Sequence, residues 1–127
     1  MVSGESLYNL LLVSLFVLAA VTSVVLGLIS APYGRHSRRG WGPAIDNRWG
    51  WVLMETPAVL VFVLCFSLGE YNSGVTAWVF LLMWAFHYVY RAYIYPFSLN
   101  RAGKRMPVVI SGMGFLFNVL NAYLNGW

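Results

Sequence analysis

Apolar residues fill the chain in long runs, and none of the runs alternates with a period of two. Four of them approach the roughly 20 residues that a helix rising ~1.5 Å per residue needs to cross ~30 Å of hydrocarbon. They predict helices over Leu7–Ile29, Trp49–Leu68, Val75–Tyr95 and Pro107–Leu124. The first has no basic segment before it and carries Glu5 instead, so it reads as a retained helix rather than a secretory leader. No repeat or low-complexity linker separates the runs, and the 127 residues are expected to form one all-α, polytopic membrane bundle. The ending Asn125-Gly126-Trp127, directly after an apolar run, looks like a cut in a longer chain.

Composition supports the membrane assignment. Hydrophobic residues make up 60% of the chain and charged ones 9%, too little polar sequence to cover a water-facing surface. The single cysteine, Cys65, lies inside an apolar run, so neither an intrachain disulfide nor a thiol-redox or metal-ligand spacing is available, and no metal is expected.

Charge then sets an orientation. The cations are Arg35, Arg38, Arg39 and Arg48 around the first connection, and Arg91, Arg101, Lys104 and Arg105 around the third. The second connection, Gly69 to Gly74, holds only Glu70. A positive-inside bias puts both basic connections in the cytoplasm and the N-terminus on the opposite side. For the first basic cluster, topology or attraction to anionic lipid is as good an explanation as a binding role. The third sits beside a helix start, where Pro107 is expected at the first helical position and cations could form a phosphate-binding surface.

Within this apolar frame Glu55 is the residue to explain. A carboxylate in a bilayer core costs several kcal/mol, by estimates from roughly 2.5 to above 10, so such a residue faces a protein interior and finds a partner. The candidate partners are in His87-Tyr88-Val89-Tyr90-Arg91. Trp84, Tyr88, Arg91 and Tyr95 fall on one helical face, and residue counting lets Glu55 and Tyr88 share a depth. Trp51, Leu53, Met54 and Val59 around Glu55 suggest a desolvated acid that stays neutral and can donate a hydrogen bond. Pro57, two residues on, removes a backbone donor and frees the Leu53 carbonyl. On the last helix Ser111, Gly114, Asn118, Asn121 and Asn125 form a stripe that fits either close helix packing or a polar cavity.

Five strings taken in order resemble the first half of the steroid 5-alpha-reductase family: Ala31-Pro32-Tyr33-Gly34-Arg35-His36; Trp51 through Pro57; His87 through Arg91 with Tyr95-Pro96-Phe97; Lys104-Arg105-Met106-Pro107; and Asn121-Ala122-Tyr123-Leu124. The resemblance implies a seven-helix membrane enzyme that uses NADPH to reduce the 4,5 double bond of a 3-oxo-4-ene steroid, with the remaining half supplying much of the cofactor pocket. It implies that Glu55 and Tyr88 are catalytic and bond the C3 carbonyl, that Trp51 lines the steroid pocket, and that Arg91, Tyr95, Asn100, Lys104 and Asn121 lie toward the cofactor. Tyr90 stands where some members have a second histidine. The implied partners are a hydrophobic steroid arriving from lipid and the other half of the same protein, with no nucleic acid. A reading from another class treats the chain as a small proton-coupled exporter in which Glu55 alternately holds protons and cationic cargo.

Overall fold

The computed structural model describes residues 4–30, 40–98 and 103–127. Arg35, Arg38, Arg39, Asn100 and Arg101 lie outside the described residues. The apolar runs become α1 (Gly4–Leu28), α2 (Asn47–Leu68), α3 (Val75–Val89) and α5 (Val108–Gly126). Between α3 and α5, a π-helical turn (Tyr90–Ile94) leads into the short α4 (Tyr95–Ser98). Helices α1, α2 and α5 are each long and apolar enough to cross a membrane. The expected third span is helical from Val75 to Ser98, but it is segmented by the π turn.

Pro96 accounts for that segmentation. Its nitrogen has no hydrogen, and in an α-helix its ring would press on the carbonyl four residues back, that of Ala92. The chain widens just before it, and the Tyr95 amide bonds to Tyr90 O instead of to the carbonyl of Arg91. Single π turns of this kind are frequent at functional sites. Here the turn contains Arg91.

Helices α2 and α5 run parallel and in close contact. Gly50 approaches Met106 and Ser111 near the start of the pair, Gly114 meets Met54 in the middle, and Gly126 meets Phe62 and Cys65 at the far end. Ser111 Oγ donates to Gly50 O at 2.6 Å, a bond made without water at a fully buried position. A β-carbon at Gly114 would overlap the Met54 side chain, so the closeness depends on a hydrogen at that position.

The helix starts are tied together by a ribbon that the hydrophobic pattern does not signal. Strands β1 (Ala44–Asp46) and β2 (Arg105–Pro107) pair antiparallel, with Ile45 opposite Met106. The pairing is extended by Asn47 N donating to Lys104 O at 3.0 Å and Val108 N donating to Pro43 O at 2.9 Å. Asp46 then caps α2 by accepting from Arg48 N at 2.8 Å. Pro107 is not the first helical residue, as the sequence suggests. Its extended ψ of 134° lets it end β2 opposite Ala44, and α5 begins at Val108.

Outside these contacts the surface is apolar. No residue of α1 is buried, and it touches the bundle near its start, where Tyr8 Oη donates to Leu124 O at 3.0 Å. Ser14, Ser23, Thr56 and Ser67 turn their hydroxyls back to the carbonyl four residues earlier, which satisfies those hydroxyls within their own helices. Such an exterior suits a lipid surface, and a polytopic membrane bundle is the architecture it defines.

Replacing Gly114 with Val is expected to destabilise the bundle by about 1–3 kcal/mol, the usual range for overpacking a close contact. Adding Met54→Ala should recover part of the loss, as read by thermal unfolding in detergent. No recovery would mean that α2 and α5 do not meet at this pair.

Candidate functional site

Glu55 is 2% exposed in the middle of α2, so its carboxylate must be satisfied from neighbouring elements. Arg91, carried by the π turn, donates through Nε to Oε1 at 2.6 Å. Asn118 of α5 donates through Nδ2 to Oε2 at 3.3 Å, and to Met54 O at 2.8 Å. Both partners are donors, so Glu55 acts here as an acceptor at each oxygen. The apolar surroundings expected from its sequence neighbours are thus completed by a cation and an amide from other segments.

An aromatic wall flanks the ion pair. The Arg91 guanidinium lies 4.9 Å from the centre of the Trp51 ring, and Tyr95 meets the same ring edge-on at 5.6 Å. A guanidinium over an indole face is stabilised by the ring quadrupole, by about 0.5–2 kcal/mol. The Arg91 side chain nevertheless remains 42% exposed. Among the described residues Arg91 bonds Glu55 through Nε, and no acceptor engages its terminal nitrogens.

Tyr88 lies farther along the bundle. Asn121 Nδ2 donates to its Oη at 3.3 Å. Asn118 and Asn121 are three residues apart on α5, so the level at which α5 meets Tyr88 lies ~4.5 Å beyond the level at which it meets Glu55. Arg91, rather than Tyr88, therefore stands opposite the carboxylate. Trp84 meets Tyr88 in a tilted ring contact at 4.6 Å and donates from Nε1 to Ala58 O at 2.7 Å.

The carbonyls near Pro57 are drawn into this network. Thr56 supplies Val52 O, Asn118 supplies Met54 O and Trp84 supplies Ala58 O. Side-chain donors thus gather on the stretch of α2 where proline interrupts the backbone ladder.

The structure consequently joins Glu55, Arg91, Trp51 and Tyr95 in one cluster, and Tyr88 with Asn121 in a second cluster one turn away. Lys104 is exposed beside the ribbon. Sequence reasoning placed Asn118 and Asn125 in a stripe on the last helix without giving either a site role; Asn125 bonds to Asn121. The signal for both was the polar stripe on the last helix. A groove of about 760 Å³ opens between α2, α3 and the end of α5, with Phe62, Trp84, His87, Tyr88 and Asn125 in its wall.

These features define a membrane-embedded bundle whose buried ion pair and adjacent phenol lie among aromatic rings. The chain matches no family model. It is 35% identical over 127 residues to the steroid 5-alpha-reductase DET2 of Gossypium hirsutum, which covers 98% of this chain and 49% of the relative. The DET2 protein of Arabidopsis thaliana is 32% identical over 128 residues, with 97% and 49% covered. The 3-oxo-5-alpha-steroid 4-dehydrogenase 1 of Bos taurus is 32% identical over 111 residues, with 84% and 43% covered. The chain belongs to the steroid 5-alpha-reductase family, and it spans about half the length of the curated relatives it matches.

Arg91→Met should leave the Glu55 carboxylate buried without its cation. Losing one partner of a fully buried pair costs about 3–5 kcal/mol, and the half-exposed guanidinium lowers the expectation to about 2–3 kcal/mol. The Glu55→Gln, Arg91→Met double variant should unfold at a higher temperature than Arg91→Met alone in detergent. Equal or lower stability of the double variant would contradict the pairing.

Proposed function

We propose that this chain forms the steroid-side half of an NADPH-dependent reductase acting on the 4,5 double bond of 3-oxo-4-ene steroids. The observation that carries the reading is the phenol of Tyr88, accepting from Asn121 within the wall of a largely apolar groove. A phenol that accepts a hydrogen bond keeps its own proton to donate. Phe62 and Trp84, stacked on each other at 4.4 Å, give that wall an apolar surface for a rigid hydrocarbon nucleus, and Tyr88 is the polar tip that orients its carbonyl.

Arg91 is the residue whose geometry fits the cofactor: a half-exposed guanidinium with terminal nitrogens beyond the Glu55 contact suits a phosphate or carboxamide. Tyr95 would flank it, and Lys104, exposed near the start of α5, would add charge on the same basic side; Asn100 is assigned there by family resemblance. Asn121, assigned there too, is engaged with Tyr88. When bound, NADPH would supply the hydride that reaches the β carbon of the enone.

Negative charge then develops on the C3 oxygen, and the residues that matter are donors aimed at it. Tyr88 is the first. Glu55 is the second by family resemblance: on taking a proton from water it would exchange its acceptor contact with Arg91 for a bond donated to the C3 oxygen. Trp51 closes the carbonyl end of the steroid site. The α carbon takes its proton from water or a nearby acid.

The basic connections would face the cytoplasm, where a charged dinucleotide enters, while the steroid arrives through lipid. The exporter alternative is disfavoured, because Glu55 is held by Arg91, whose positive charge opposes cationic cargo.

In the full-length protein, Tyr88→Phe should lower turnover in enone-dependent NADPH oxidation by about 100-fold to 1,000-fold, the usual cost of one donor to a developing oxyanion. Glu55→Gln should also lose most turnover while retaining NADPH binding. Near-normal rates in both variants would remove the catalytic assignment.

A further inference from the structure

Three asparagines at spacings of three and four occupy one side of α5, and the amides of Asn118 and Asn125 are directed by backbone carbonyls, which can only accept. Asn125 Nδ2 donates to the backbone carbonyl of Asn121 at 2.8 Å. A carbonyl has no hydrogen, so the amino end of Asn125 must face this turn. The same nitrogen lies 3.1 Å from Asn121 Oδ1 and spends its second hydrogen there. The oxygen of the Asn121 amide is therefore on the Asn125 side, and its nitrogen is turned to Tyr88 Oη at 3.3 Å. Direction thus passes from a backbone carbonyl through two side chains to the phenol.

We propose that Asn125 and Asn121 form a polarity lock that keeps Tyr88 an acceptor toward the protein and hence a donor toward the substrate carbonyl. Both are positioning residues, and the inference rests on the catalytic reading of Tyr88. In the reversed arrangement Asn121 would present Oδ1 to Tyr88, the phenol would spend its proton on that oxygen, and the developing enolate would lose a donor. Asn118 is oriented in the same manner, since its Nδ2 is committed to Met54 O, so one helix sets direction at both Glu55 and Tyr88.

The lock makes an ordering that a packing role does not. Asn121→Leu removes the bond to Tyr88 but leaves the phenol its proton. Asn121→Asp is nearly isosteric but can only accept when ionised, so it captures that proton. Asn125→Asp, at an exposed position, turns the Asn121 amide over by offering it an acceptor.

The test uses the full-length protein in detergent, with kcat and KM from enone-dependent NADPH oxidation and cofactor affinity from nicotinamide fluorescence. Asn121→Asp and Asn125→Asp should fall by about 100-fold or more in kcat, and Asn121→Leu should retain at least about tenfold more turnover than either; Asn125→Asp, which also puts a charge in the groove wall, is read on kcat alone. NADPH affinity should be unchanged in all three.

Turnover of Asn121→Asp at or above that of Asn121→Leu would overturn the lock, as would weakened NADPH binding by Asn121→Leu, which would make Asn121 a cofactor contact. Tyr88→Phe separates the two levels. If it retains turnover, the catalytic reading fails and the lock with it. If it loses turnover while the aspartate variants do not, the lock alone fails.

Discussion

The structure depends on satisfying one carboxylate in the interior of an apolar helix. Glu55 is 2% exposed, and the elements around it converge to supply donors: a π turn brings Arg91 to Oε1, and α5 brings Asn118 to Oε2. Each donor requires a backbone feature of its own. Arg91 lies in the widened turn that precedes Pro96, and Asn118 is brought close because Gly114 and Ser111 let α5 lie against α2. Burying the charge without these partners would cost several kcal/mol, so the ion pair, the π turn and the small-residue seam support one another.

The two ends of the α2–α5 pair are secured differently. At the start, the ribbon fixes the register of the helices through backbone bonds, with Met106 buried against Gly50 and Ser111. At the far end the contact is Gly126 against Phe62 and Cys65. Glu55 lies between these clamps, where small sliding movements would otherwise pull Asn118 off both Met54 O and the carboxylate.

Much of this was legible in the chain. The apolar runs located the long helices to within a few residues, because about 20 consecutive apolar positions carry that information without tertiary help. The π turn was encoded by Pro96, but the expected span ran to Tyr95 without widening, since composition does not say which turn absorbs a missing amide. The ribbon was illegible: Ala-Ile-Asp and Arg-Met-Pro are too short to show alternation, and each is a strand only because the other is opposite it. At the site, Arg91 was named as a possible partner for Glu55, but a common depth for Glu55 and Tyr88 was only approximate. Helical arithmetic gives position along an axis; the extra residue in a π turn and the tilt between helices shift it by about a turn.

The asparagine stripe shows why packing and chemistry need not be alternatives. Residues three apart on an α-helix are separated by about 60° around the axis and ~4.5 Å along it. A helix packed on α2 and flanked by Tyr88 of α3 can therefore present Asn118 to one and Asn121 to the other. The bonds that hold α5 against its neighbours are the same bonds that orient Glu55 and Tyr88. A hydrogen-bond direction set at a backbone carbonyl is passed on through the side chains that follow it. Helix association and donor direction are consequently one property of this face, and a substitution that preserves shape while reversing donor and acceptor perturbs the second without removing the first.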